Sequence, residues 1–227
     1  MMKNALENIS EQIAEACLRC GRKPEEVKII PVSKSFPVET LRQAYDLGIK
    51  VFAENKAQEF RDKTRALPQD IEWHFIGHLQ TNKIKYVVPQ AALIHAVDSL
   101  HLAEALSGYA QRKNVTAPVL LEVNTSAEMS KFGVPPEQAE ELFLEMLEME
   151  GLNLKGLMTM APFTDDETLV RNAFKKLRRL QEKLQKHTAA ENIRELSMGM
   201  SSDFKWAVEE GSTMVRIGTA IFGARGR

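Results

Sequence analysis

Met214-Val215-Arg216-Ile217-Gly218-Thr219-Ala220-Ile221-Phe222 is an apolar run broken by one charge, and its reading decides the fold. A strand with one wet face alternates apolar and polar residues. A run that is apolar on both faces suits a strand buried on both, as in parallel sheets covered by helices. Residues 214–222 are of the second kind, and so is Val119-Leu120-Leu121-Glu122-Val123. Working outward, strands are predicted over residues 27–33, 51–54, 72–77, 93–97, 118–123, 154–160, 195–200 and 214–222. Helical patterns fall between them over 41–47, 56–66, 79–86, 99–112, 136–150 and 166–187, with a short one over 203–210 and an additional N-terminal one over 5–19. In the longest, Phe174, Leu177, Leu180 and Leu184 recur at helical spacing. Eight strands alternating with helices form the (β/α)8 pattern. Right-handed crossovers either close such a sheet or wind it doubly. The count of eight and the lack of a linker favour a single α/β unit over residues 1–227, a (β/α)8 TIM barrel. A doubly wound open sheet is the competitor.

The 227 residues, 44% of them hydrophobic, suffice for one substantial core. A net charge of -1 gives no basic surface for nucleic acid. No apolar stretch is long enough for a transmembrane span. Residues 1–13 are polar and amphipathic and lack the apolar core of a signal peptide, so a cytoplasmic location is expected. Cys17 and Cys20 are spaced C-x-x-C but have no second pair to complete a zinc site and no strand before them. They read as ordinary helix residues. His74 and His78 share a strand-like run and form no metal pattern.

In a parallel barrel, ligands bind at the carboxyl ends of the strands. The run Val27-Lys28-Ile29-Ile30-Pro31-Val32-Ser33 ends at Lys34, and Ser35-Phe36-Pro37 stops it. A lysine there can present its amine inside a pocket. Its ordinary pKa of about 10.4 makes it a poor nucleophile at neutral pH; desolvation or a nearby cation lowers that value and permits a Schiff base with an aldehyde. The plainer reading is a surface lysine at a strand end. Ser201 and Ser202 precede the short seventh helix, where hydroxyls and free N–H groups can cradle a phosphate, and Gly218-Thr219 would lie beside them. The alternative is that Ser202 or Asp203 is only a helix cap. Arg216 lies in an apolar strand and needs an acceptor, either a carboxylate partner or a ligand atom.

Six stretches carry a resemblance. They are Val32-Ser33-Lys34, Phe52-Ala53-Glu54-Asn55, His74-Phe75-Ile76-Gly77-His78-Leu79-Gln80-Thr81-Asn82-Lys83, Gly156-Leu157-Met158-Thr159-Met160, Ser197-Met198-Gly199-Met200-Ser201-Ser202-Asp203, and Val215-Arg216-Ile217-Gly218-Thr219-Ala220-Ile221-Phe222-Gly223. In this order they resemble the pyridoxal phosphate homeostasis protein family over essentially the whole chain. That family resembles the barrel of the alanine racemase N-terminal-domain type. The resemblance implies that Lys34 carries pyridoxal 5′-phosphate as an internal aldimine. It places Ser201, Ser202 and the Gly218-Thr219 backbone on the phosphate. Arg216 is placed near the pyridine nitrogen, and Asn55, His78 and Met158 around the ring. A guanidinium does not give up its proton, so the ring nitrogen beside it would stay unprotonated and be a weaker electron sink. The family usually has glycine before Glu-Asn and an aromatic after it. Here Ala53 and Lys56 stand in those places, which puts the pocket wall after the second strand in question.

Racemases of this type take a second acid/base from a tyrosine in an additional C-terminal domain of a partner chain. This sequence reads to Arg227, and its tyrosines, Tyr45, Tyr86 and Tyr109, fall in predicted helices away from strand ends. The expectation is a monomeric, non-catalytic carrier that buffers the cofactor or delivers it to apo enzymes. The alternatives are a weak amino-acid racemase using Lys34 as its one base and, from fold alone, a Schiff-base aldolase.

Overall fold

The computed structural model describes residues 2–126, 128, 132–188 and 193–223. Eight strands alternate with helices: β1 Lys28–Pro31, β2 Val51–Glu54, β3 Glu72–Phe75, β4 Ala91–Val97, β5 Ala117–Glu122, β6 Leu152–Met158, β7 Glu195–Met200 and β8 Met214–Ile217. Among the described residues the helices are α1 Met2–Cys20, α2 Val38–Asp46, α3 Ala57–Ala66, α4 Ile84–Val87, α5 Leu100–Lys113, α6 Pro136–Leu147, α7 Glu167–Thr188, α8 Phe204–Glu209 and α9 Thr219–Phe222. The strands form one sheet in the order β1-β8-β7-β6-β5-β4-β3-β2, and every pairing is parallel. The seam between β1 and β2 is held by a parallel bridge from Val32 to Ala53, with Ser33 N–H donating to Ala53 O at 2.9 Å. The result is a nearly closed (β/α)8 barrel, as the alternating pattern predicts.

Side-chain chemistry divides the barrel into two cores. Outside, the apolar stripes of the helices meet the sheet around Phe52, Phe60, Phe75, Phe143 and Phe174, all fully buried. Inside, Ile30, Leu93, Leu120, Met158 and Met214 form a smaller cluster. Helix α1 buries Ile9, Ile13, Ala16 and Cys17 against Phe204, Val208, Val215 and Ile217. Each fully buried isoleucine there contributes roughly 1.5–3 kcal/mol. Cys17 and Cys20 are therefore helix residues, and both are free thiols.

The eighth strand is shorter than the apolar run suggests. Gly218 turns the chain (φ -109°, ψ -81°), and Ile221 and Phe222 N–H donate to its carbonyl at 2.9 and 3.1 Å. Residues 219–222 thus form a helical turn, and Gly218 and Thr219 lie just past the strand. The helix expected over 79–86 is a 3-10 turn, Thr81–Lys83, followed by α4. The helix expected over 136–150 stops at Leu147, and the strand expected over 154–160 begins earlier, at Leu152.

Candidate functional site

The carboxyl ends of the strands open into a cleft of ≈ 530 Å³. Lys34, Asn55, His78, Met158, Ser201, Ser202, Arg216, Gly218 and Thr219 all line it, together with Glu122, Phe132, Met160 and Phe163. Residues up to 185 positions apart in sequence, Lys34 and Thr219, thus share one wall-to-wall space. A volume of this size is ordinary for a small-molecule site.

Lys34 sits in a turn held on both sides. Before it, Ser33 Oγ donates to Glu54 Oε1 at 2.6 Å, and Ser33 O accepts from Lys63 Nζ at 2.9 Å. After it, Ser35 has a left-handed backbone (φ 68°), and its N–H donates to Glu59 Oε2 at 3.0 Å. Lys63 joins the two sides, 2.6 Å from Glu54 Oε1 and 3.4 Å from Glu59 Oε2. Burial pushes the Glu54 carboxyl above its ordinary value, and the Lys63 ammonium opposes this. A non-glycine residue at positive φ is uncommon, and this network of charges holds Ser35 there.

Beside it, Asn55 Oδ1 is shut off from solvent and meets no hydrogen-bond donor among the described residues. Gly77 packs so closely on Asn55 that a Cβ would stand 2.1 Å from the Asn55 carbonyl oxygen, so only glycine fits. Next in the chain, His78 Nδ1 lies 2.8 Å from Asp98 Oδ2, and its ring stacks on Phe132 at 4.4 Å and 13°. His74, four residues earlier, points elsewhere: it is buried and bonds His95 at 2.8 Å.

On β8, the strand that pairs with β1, Arg216 is buried. Its Nη1 donates to Ser197 Oγ at 2.6 Å and its Nη2 to Thr159 O at 2.9 Å. Among the described residues its direct partners are a hydroxyl and a carbonyl, and no carboxylate pairs with it. Burial lowers its pKa to about 10, while the charges of Glu122 and Asp203 oppose the change. It remains a cation at neutral pH with further donors to spend. Ser201 and Ser202 are exposed on the turn before α8. Asp203 closes that turn, accepting from Met200 N–H at 2.5 Å, which leaves both serine hydroxyls outside the turn's own hydrogen bonding.

Glu122 is the site residue that sequence reasoning passed over. It ends β5 at 3% exposure, and its carboxyl is raised to about 7 by burial and by Asp98, against the pull of Arg216. The signal was present: a charge in an apolar strand, as at Arg216. Ala53 and Lys56 do not line the cleft. Ala53 is buried in the seam, and Lys56 pairs with Glu59 at 3.2 Å on the outside. Tyr45, Tyr86 and Tyr109 lie on α2, α4 and α5, and Tyr45 is bonded to Asp70. Among the described residues no group of three or more His, Cys, Asp or Glu side chains is placed to hold a metal ion, and no helix is long and apolar enough to cross a membrane.

A parallel barrel with a lysine, a buried arginine and a serine turn facing one cleft defines a protein of the alanine racemase N-terminal class. The model of that family, "Alanine racemase, N-terminal domain", matches residues 5–226. The chain is 45% identical over 226 residues to the pyridoxal phosphate homeostasis protein of Aquifex aeolicus, covering 98% of this chain and 99% of the relative. It is similar to the structure of PipY of Synechococcus elongatus with PLP bound: TM-score 0.81 and 34% identity over 95% of this chain and 100% of the other. Alanine racemase of Clostridium difficile shares the fold at TM-score 0.79 and 16% identity, over 97% of this chain and 56% of the racemase. The chain belongs to the pyridoxal phosphate homeostasis protein family.

Proposed function

We propose that this chain holds pyridoxal 5′-phosphate reversibly on Lys34 and releases it to other amines, serving storage and delivery of the cofactor without turnover of its own. The observation that carries this reading is the convergence of Lys34, Arg216 and the Ser201-Ser202 turn on one cleft. Relatives named for pyridoxal phosphate homeostasis and the PLP-bound PipY structure support it. The residues fit the group. Arg216 offers N–H groups to an acceptor, and the two serine hydroxyls face the opening together with the Gly218-Thr219 turn.

When bound, the cofactor would supply an aldehyde that condenses with an amine, losing water, and exchange with a second amine would free the first and carry the cofactor away as the second amine's imine, which water returns to the aldehyde. Lys34 is that amine, held by the charges beneath its turn. Ser201, Ser202 and Thr219 bind the phosphate. Arg216 would donate a hydrogen bond to the ring nitrogen without giving up its proton, which would leave the ring a modest electron sink. His78 and Met158 flank the ring. The protein acts over residues 1–227 as one monomeric unit in the cytoplasm, and its recipients are apo enzymes that use the cofactor.

Glu122 and His78 are ionisable groups in the same cleft, so turnover is tested directly. Loaded protein is mixed with amino acids in deuterated water and, separately, with an apo enzyme across a dialysis membrane and in direct contact. Slow or absent α-deuteration together with activation of the apo enzyme is expected. Rapid α-deuteration or racemisation, abolished by Lys34→Ala, would instead make the chain an enzyme.

A further inference from the structure

A line of buried polar groups crosses the barrel from its amino-terminal mouth to Arg216. Glu72, at the start of β3, takes Lys28 Nζ at 2.6 Å and His74 Nε2 at 2.9 Å. His74 Nδ1 lies 2.8 Å from His95 Nε2, and His95 Nδ1 lies 2.8 Å from Ser197 Oγ. Ser197 Oγ then accepts from Arg216 Nη1. His95 is on β4 and Ser197 on β7, which are not neighbours in the sheet, so this link spans the interior. His74, His95 and Ser197 are each 1% exposed or less, in a place where an unpaired polar group is expensive.

We propose that His95 and Ser197, backed by His74 and Glu72, are positioning residues that hold the Arg216 guanidinium in one rotation against the cleft. Resting on the cofactor-binding reading above, this names what aims Arg216 at the ligand. The direction of the chain follows from donor counting. Glu72, held near a pKa of about 2 first by its bond to His74, is ionised and only accepts, so His74 Nε2 carries a hydrogen. Burial first, and then the cations Arg216 and Lys28, push His95 well below its ordinary range, so it is neutral. With one hydrogen on each ring, His95 Nε2–H donates to His74 Nδ1, and Ser197 O–H donates to His95 Nδ1. Ser197 Oγ is then free to accept from Arg216, and each imidazole N–H and the serine O–H has a partner. With two hydrogens on His74 the chain reverses: His95 Nδ1–H and Arg216 both donate to Ser197 Oγ, and the serine hydrogen is left without an acceptor in the chain. The first arrangement is the one the geometry satisfies.

Two measurements decide it. In cofactor-free protein, ¹⁵N spectra should show Nδ1 unprotonated and Nε2 protonated on both His74 and His95. A protonated Nδ1 on either ring would overturn the chain's direction. In protein loaded with pyridoxal phosphate, Ser197→Ala should release the cofactor roughly tenfold faster, as for loss of one hydrogen bond to a charged group, and should shift its absorption band. Ser197→Thr, which keeps the hydroxyl, should restore both. If the wild type takes up no pyridoxal phosphate, the proposed function fails. If it does, and Ser197→Ala leaves both the release rate and the band unchanged, the positioning role alone is refuted.

Discussion

The wall of the cleft under Lys34 and the wall under Arg216 are braced by opposite means. Under Lys34 the brace is charged: the ammonium of Lys63, 5% exposed, is gripped by Glu54 and Glu59, and the serines flanking Lys34 hang from those carboxylates. Under Arg216 the brace is a file of hydrogen bonds through two buried imidazoles and a hydroxyl, with its carboxylate at the far mouth. The difference follows from what each wall must present. A lysine that is to react needs its turn fixed at the cleft. An arginine that is to stay charged in a buried place needs acceptors for its N–H groups but no carboxylate directly on the face turned to the ligand. A charged brace stiffens, and fails abruptly when one partner is removed. A file of single hydrogen bonds is weaker at every link.

The sharpest way to break this contrast is Lys63→Met, which leaves Glu54 buried and unpaired. It should cost roughly 3–5 kcal/mol in denaturant unfolding and abolish cofactor uptake. Replacing the pair together, Lys63→Met with Glu54→Leu, should recover most of the stability, since an apolar pair can match a buried ionic one. Recovery of stability without uptake would show that the charges serve the Lys34 turn. Next in size is Glu122→Gln beside Arg216. The Glu122 pKa is raised from 4.5 to about 7, so the native state holds this proton more tightly than the unfolded chain does. The group's favourable contribution is complete below pH 4.5 and is lost as pH rises through 7. Glutamine escapes that loss. The variant should be up to about 3 kcal/mol more stable than wild type at pH 8, and the difference should vanish at pH 4. A stability gap independent of pH would refute the ionisation argument. Ser197→Ala, which removes the bonds of Oγ to both His95 and Arg216, should cost about 1–3 kcal/mol in the cofactor-free protein. A loss as large as that of Lys63→Met would erase the distinction between the walls. Smallest is Lys56→Ala: its exposed pair with Glu59 should be worth less than about 1 kcal/mol, and cofactor uptake should not change.

Much of this was readable from residue order, for physical reasons. The parallel strands announce themselves because burial on both faces leaves no room for polar alternation, and Lys34 and Arg216 stand out as charges against that background. The end of β8 was not readable, because an apolar run looks alike as a strand and as a helical turn; only the backbone of Gly218 separates them. Glu122 carried the same signal as Arg216 but lay in a run read for its apolar neighbours. The partnership of His74 with His95 and Ser197 depends on which side chains face inward across non-adjacent strands, and nothing local in the chain records it. His74 was compared with His78, its neighbour in sequence, while its real partner lies on the next strand. Lys63 was invisible for a similar reason, being one helix-surface lysine among several until the fold turns it under the Lys34 loop.

The central claim is that one amine in this cleft forms the bond to the cofactor. Protein loaded with pyridoxal phosphate, reduced with borohydride and mapped by peptide mass spectrometry, tests it most directly. The account predicts the reduced adduct on Lys34 and its absence in Lys34→Ala. An adduct found chiefly on any other lysine would contradict it.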